Sequence, residues 1–240
     1  MGHGWEGVVL KLMRGKDFTF TVTGAEQVGE NFRRVHLTDG GMLAQTGVHP
    51  TMWVRVWFPN AGRPHQRAYT LVDADPVAGT FALEFALHDG PASDWSRTAR
   101  PGDTVDATLQ GTGFSAPEPP PGRLFAVADP ASLPALNSLL DAFPGVPATV
   151  WFETPDPADD ALPLRADPAC HEVRRIPRRD GGRHLVAEVT SALPALLAGD
   201  GDPYLWIACD TVTTRSLAGH ARKELGLPKE RVNALGYWRP

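Results

Sequence analysis

The stretch "SAPEPPPGRLFAVADPASLPALNSLLDAFPGVPATVWFE", residues 115–153, changes its hydrophobic period twice, and those changes decide the fold. "SAPEPPPGR" (115–123) cannot continue a sheet, because proline fixes φ and lacks the backbone donor, so it reads as a linker. "LFAVA" (124–128) is a short unbroken apolar run of the buried-strand type. In "ASLPALNSLLDAF" the apolar residues Leu133, Leu136, Leu140 and Phe143 recur on one helical stripe, and Pro144-Gly145 stops it. "ATVWFE" (148–153) is a second buried strand, so the order is βαβ, the signature of a parallel sheet. Downstream, "YLWIAC" (204–209) precedes a helix expected from about Thr211 to Leu225, closed by Gly226 and Pro228, and "VNALGYW" (232–238) reads as a last strand. Between them, the Asp- and Arg-rich piece from Thr154 to Arg183 has weak periodicity and is expected to be an irregular surface excursion. An open sheet of this kind binds ligands at the carboxyl ends of its strands.

Upstream of the linker the period is two. "FTFTV", "RRVHLT", "MWVRVWF", "FALEFAL" and "DTVDATL" are short, rich in Val, Phe, Trp and Thr, and separated by turn residues. In "FALEFALH", Phe81, Leu83, Phe85 and Leu87 share one face while Ala82, Glu84, Ala86 and His88 share the other, which predicts a one-sided antiparallel sheet. Five or six such strands predict a small closed barrel, since closure removes exposed edges. The expectation is a two-domain β plus α/β chain: an N-terminal antiparallel β-barrel over 1–120 and a C-terminal open parallel α/β domain over 121–240.

Composition sets limits on function. With 240 residues and 42% apolar content the chain can build real cores, and a net charge of −5 argues against a general nucleic-acid binder. Cys170 and Cys209 form neither a CxxC nor a ligand cluster, which suits free thiols in a reducing compartment. The early apolar run Val8-Val9-Leu10 is broken by Lys11 and Arg14, too soon for a signal segment or a membrane span. The expected location is the cytoplasm, with no membrane insertion and no nucleic-acid partner.

Two stretches of the barrel region carry chemistry. In "HQRAYTLVDAD" (65–75), Arg67 and Tyr69 share a face of an extended segment and Thr70 turns the other way, past Ala68. An arginine can hold a pyrophosphate, an aromatic ring can cover a flat heterocycle, and a hydroxyl or amide can bond a ring nitrogen, which are the needs of a flavin. A barrel strand with a snorkelling arginine and a half-buried tyrosine accounts equally for the tetrapeptide alone. "HDGPASDWSRTARPGD" (88–103) leaves a strand at His88, turns at Asp89-Gly90, and offers Ser93 or Asp94 as the cap of a short helix containing Trp95. Small residues at Gly90, Ala92 and Ser93 and the amides of a helix start form an anion site. An ordinary hairpin turn with a Ser93 cap is the plainer account.

"GENFRRVHL", "RAYTL", "FALHDGPASDW", "RPGDTV", "ADPASLPALNSLLD" and "YLWIACDTVTTRSLAGHARKELGLPKERVNALGYW", in this order, resemble the successive blocks of the siderophore-interacting proteins. These are a flavin-dependent branch of the ferredoxin-reductase-like superfamily. The resemblance implies that Arg67, Ala68, Tyr69 and Thr70 are the flavin-binding Arg-x-Tyr-Thr, and that His88, Gly90, Ala92 and Ser93 lie in the FAD diphosphate segment. It further implies reduction of a ferric siderophore from Fe(III) to Fe(II), with NAD(P)H or reduced ferredoxin as the electron source. A general NAD(P)H-flavin oxidoreductase and a flavin- or siderophore-binding protein without nicotinamide turnover are the alternatives. The chain departs from the family at Leu71-Val72, where many members carry an arginine. Asp129-Pro130-Ala131-Ser132 replaces a Gly-Asp-Glu-Thr loop, and Ala208-Cys209-Asp210 replaces Ala-Gly-Glu. The last two lie where a nicotinamide donor would dock: Pro130 removes a donor, Cys209 adds bulk, and Asp129 and Asp210 add negative charge unless they cap the helices that follow.

Other signals are weaker. "GTGFS" (111–115) has no helix after it and reads as a loop, and the eight histidines show no HxxxH or HxH spacing, so no protein-bound metal is expected. Cys209 reads as a small buried hydrophobe. Arg222-Lys223, Lys229 and Arg231 are either attractors for an anionic chelate or a solvated helix face. Because a flavin ring performs the redox step, no side chain is required as acid or base, and no catalytic residue is assigned.

Overall fold

The computed structural model describes residues 15–60, 65–199 and 201–240; the run Val8-Val9-Leu10 lies outside them. The chain divides into two compact units, the first ending at Phe114 and the second beginning at Ser115. The proline-rich stretch therefore falls within the second unit, and both Pro117 and Pro121 are buried.

In the first unit, β1 (Lys16–Gly29), β2 (Phe32–Thr38), β3 (Trp53–Phe58), β4 (His65–Asp75), β5 (Thr80–Ala86) and β6 (Thr104–Leu109) form a closed barrel in the order β1-β2-β5-β4-β3-β6. Alternation sends Phe20, Val22, Val35, Leu37, Val54, Val56, Leu71, Phe81, Leu83 and Phe85 into one core. Phe20 and Phe81 meet there edge to face, with centroids 4.9 Å apart. Register shifts in β1 between Val22 and Gly24 and between Gln27 and Gly29 mark irregularities of the kind that let a sheet curve into closure. The sheet is not one-sided as expected. Glu84 points away from the barrel core and is still buried, because its carboxylate takes Arg34 Nε at 2.9 Å. Helix α1 (Met42–Thr46) contributes Met42 and Leu43 to the core, and its first amides are held by Asp39.

In the second unit, β7 (Arg123–Ala128), β8 (Ala148–Thr154), β9 (His171–Pro177), β10 (Pro203–Ala208) and β11 (Val232–Ala234) form a parallel sheet in the order β11-β10-β7-β8-β9, with helix α3 (Leu133–Ala142) between β7 and β8. Two segments differ from expectation. The piece from Thr154 to Arg183 contains edge strand β9, whose alternation was hidden by charges that face solvent or stack on rings, as Arg174 does over Trp151. The last strand ends at Ala234, and the chain then continues to an isolated parallel bridge between Asp210 and Trp238. Among the described residues no helix is long and apolar enough to cross a membrane.

The turn from β9 into helix α4 (Arg183–Leu197) runs through Gly182, at φ +89°, where a Cβ would collide with Thr213 Oγ1. Gly102 has a similar φ of +94° with nothing within 4 Å of such a Cβ. Gly102→Ala is therefore expected to carry only the left-handed penalty of about 1–2 kcal/mol. Gly182→Ala is expected to cost clearly more in urea unfolding, and equal midpoints for the two variants would contradict this packing.

Candidate functional site

Two regions hold the chemistry, one in each unit. In the barrel, helix α2 (Pro91–Thr98) follows β5 and lies against the core through Ala92 and Trp95. Arg33 Nε reaches the Ser96 carbonyl at 2.7 Å and ties α2 to β2. Tyr69 stands opposite Val54 on β3, in the interior-facing row with Leu71. Its ring packs on Phe85 with centroids 4.4 Å apart, and Phe58 lies 5.8 Å from Tyr69 and 5.5 Å from Trp95. Burial pushes the Tyr69 hydroxyl pKa up, against the opposing charge of Arg67, so the phenol stays neutral. Arg67 lies further along the same row and is exposed; its guanidinium donates to the Gln66 carbonyl at 2.8 Å and pairs with no carboxylate among the described residues. Ala68 is exposed and Thr70 is buried opposite Trp53 on the other face.

The start of α2 is not capped as expected. Its N-cap is Gly90, at φ +143°, with Pro91 as first residue and no side-chain cap. Ser93 lies one turn inside instead, wholly buried, and its hydroxyl accepts the His88 amide at 3.2 Å. The His88 ring is exposed, with Nδ1 2.7 Å from the Asp89 carbonyl. Early helix amides have no partner within their own helix, and those of Ala92 and Ser93 receive no capping side chain among the described residues. Of the eight residues expected in the site, Tyr69 and Ala92 pack against the barrel's aromatic core, Arg67 lies on the Tyr69 face of β4, Ala68 and Thr70 lie on its other face, and His88, Gly90 and Ser93 form the turn into α2.

In the second unit, the order reverses between β7 and β10, the position where open sheets take ligands. Here that position is filled by the chain's own side chains. Asp129, at the end of β7, accepts Ser132 N at 3.1 Å and Trp238 Nε1 at 2.7 Å. The Ser132 hydroxyl accepts the Asp129 amide at 3.0 Å and donates to the Ala208 carbonyl at 2.6 Å. Asp210, at the end of β10, caps α5 (Thr211–Lys223) through Val212 N and Thr213 N, both at 2.9 Å. Arg178 bridges Asp210, at 3.1 Å, and Glu153 of β8, and lies 4.9 Å from the Trp238 ring centroid. Glu153 and Asp210 are both 0% exposed.

Burial and charge set the protonation of this group. Burial pushes Asp129 up to about 6, with the Trp238 and Ser132 donors holding it from rising further. Burial likewise raises Glu153 against the pull of Arg178. Burial also opposes ionisation of Asp210, but the Thr213 and Val212 amides, the Thr213 hydroxyl and Arg178 together lower its pKa. Cys209 packs into the core beside Trp151 and Leu217, its thiol pushed up by burial and then by the three carboxylates. It is the small buried hydrophobe expected from sequence, and the bulk expected at the strand-end crevice lies in the core instead. Two of the C-terminal cations are also structural: Arg222 donates to the Val232 carbonyl at 2.8 Å, and Arg231 is 8% exposed, with Asp202 at 3.5 Å.

The sequence of residues 43–111 matches the Siderophore-interacting FAD-binding domain, and residues 122–240 match the Siderophore-interacting protein family. The chain belongs to the siderophore-interacting protein family. Over 99% of its length it is 33% identical to the mycobactin import ATP-binding/permease protein IrtA of Mycobacterium tuberculosis, of which the match spans 28%. The chain thus spans about a quarter to a third of the length of these mycobacterial relatives. It is 28% identical to the NADPH-dependent ferric-chelate reductase of Escherichia coli, over 76% of this chain and 69% of that protein. The siderophore-interacting protein SipS of Aeromonas hydrophila superposes with a TM-score of 0.78 at 23% identity, covering 94% of this chain and 92% of that one. Closed barrel followed by parallel sheet is the ferredoxin-reductase-like fold.

Glu153, Arg178 and Trp238 were not singled out from sequence. A carboxylate at each of three neighbouring strand ends was the available signal, since such a group needs a nearby cation. Arg178→Ala would leave two buried carboxylates unpaired and is expected to cost about 3–5 kcal/mol at neutral pH. The loss should shrink as pH falls, because protonated carboxyls no longer need the guanidinium; a pH-independent loss in urea unfolding would contradict this.

Proposed function

We propose that the chain is an FAD-dependent reductase of ferric siderophores, with the flavin held by the barrel unit. The observation that carries the reading is that Phe85 packs on both the Tyr69 ring and Trp95 of the uncapped helix α2, with Arg67 exposed on the Tyr69 face of β4, within the segment that matches an FAD-binding domain. The residues fit the group: an exposed cation without an acid partner and free helix amides suit a diphosphate, and a neutral aromatic suits a flat ring. Arg67 and the amides of Ala92 and Ser93 would hold the diphosphate, Gly90 would let it approach, Tyr69 would flank the ring, and Thr70 would offer a polar contact at its edge. Ala68 and His88 would line the same path. When bound, FAD supplies conversion of a two-electron donor's electrons into single-electron delivery. Hard oxygen donors favour Fe(III) over Fe(II), so one electron loosens the metal and leaves the chelator intact. The ferric chelate is substrate, and no side chain of the chain is assigned as its acid, base or iron ligand.

The relative from Escherichia coli is NADPH-dependent by name. In this chain the amides that would cradle a dinucleotide diphosphate at β7 and β10 are taken by Asp129 and Asp210, and Pro130 has none to give. That supports weak use of NADH and NADPH, and a protein donor such as ferredoxin as the faster source. The work would be done in the cytoplasm.

Two outcomes follow. Arg67→Ala removes a charge-assisted contact of roughly 1.5–3 kcal/mol and should weaken FAD about ten- to a hundred-fold; a variant that copurifies with full flavin would contradict the assignment. In stopped-flow bleaching, half-saturation by NADH and NADPH is expected in the millimolar range, and a micromolar value for either would overturn the account of the donor site.

A further inference from the structure

Asp129, Glu153 and Asp210 stand at the ends of three neighbouring strands and are all buried, yet only Glu153 and Asp210 pair with a guanidinium, that of Arg178. Their oxygens are not equally satisfied. Asp210 Oδ1 accepts two backbone amides, and its Oδ2 accepts the Thr213 hydroxyl and Arg178. Asp129 Oδ1 accepts Ser132 N and its Oδ2 accepts the Trp238 indole N–H. Glu153 Oε2 takes Arg178, but Oε1 is buried without any partner among the described residues. A solvent-free carboxylate oxygen that accepts nothing is costly while the group is charged and is a natural seat for a proton.

We propose that Glu153 and Asp129 form a two-step proton site, in which a first proton on Glu153 Oε1 leaves the Trp238 indole bound and a second on Asp129 releases it. The geometry dictates the order of effects. A proton on Glu153 Oε1 displaces no donor. A proton on Asp129 Oδ2 would confront the indole N–H, and one on Oδ1 would confront the Ser132 amide, which the helix start fixes in place. The indole belongs to the C-terminal segment and is the donor that can turn away. Facing this pair are Arg178 from the turn after β9, Asp210 and the neutral Cys209 thiol from the end of β10, and, among the described residues, no other charged group that shifts Asp129 or Glu153. The raised pKa values of Asp129 and Glu153 and the lowered one of Asp210 agree with this division.

The test is an indole fluorescence titration of the full chain from about pH 8 to 4.5, taken as the difference between wild type and Trp238→Phe. A transition near pH 6 is expected while far-UV circular dichroism stays constant. Asp129→Asn should abolish it, and Glu153→Gln, which mimics the first protonation, should retain it close to the wild-type midpoint. The proposal is overturned if wild type and Trp238→Phe titrate alike, if Asp129→Asn keeps the transition, if Glu153→Gln removes it, or if the transition is global unfolding. Should Asp129→Asn fail to fold, the Trp238→Phe difference and the Glu153→Gln titration still decide the matter.

Discussion

The guanidinium of Arg178, set against the buried carboxylates of Glu153 and Asp210, is the interaction on which the end of the parallel sheet depends. Each carboxylate has a local reason to be there: Asp129 and Asp210 satisfy amides at the starts of the helical turns that follow their strands, where negative charge is favoured. Burying them together is nevertheless unfavourable without a counter-ion, and Arg178 answers Glu153 and Asp210 at once while its flat face meets Trp238. Gly182 must be glycine because the turn that delivers Arg178 passes against Thr213. The C-terminal segment is held by the same group, through the Trp238 indole on Asp129 and the Trp238 carbonyl that accepts Thr211 N at 2.9 Å.

This arrangement divides the chemistry between the units. The sheet spends its helix-start amides on its own side chains, so its strand ends are negative and self-satisfied. The barrel does the opposite. At α2 a glycine replaces a capping side chain, the first helical residue is proline, and the exposed Arg67 pairs with no carboxylate among the described residues. An anion is therefore favoured at the barrel cluster and disfavoured at the sheet, which is why the cofactor assignment rests on β4 and α2.

Much of this was legible in the sequence. Period-two strands before residue 115 and the βαβ order after it specify barrel and sheet, because both patterns follow from burying one face of each element. The shared face of Arg67 and Tyr69 on an extended strand and the short helix containing Trp95 after the Asp89-Gly90 turn were legible too, since both follow from local pattern. What escaped was long-range pairing. β9 reads as a charged loop because its arginines lie over Trp151 and Phe152 of β8, a partner that local alternation does not reveal. Ser93 or Asp94 was expected to cap α2, but Gly90 stands at the cap and Ser93 accepts the His88 amide, because helix phase at a junction depends on the neighbouring element.

The central claim, that a barrel-bound flavin passes single electrons to a ferric chelate, is tested most directly by stoichiometry. The FAD-loaded protein would be reduced anaerobically, freed of excess reductant and mixed with a ferric siderophore and an Fe(II)-specific chromophoric chelator. The account predicts about two Fe(II) trapped for each flavin reoxidised, because a fully reduced flavin holds two electrons and each iron takes one. A flavin that stays reduced in the presence of the ferric chelate, or that reoxidises without releasing Fe(II), would contradict it.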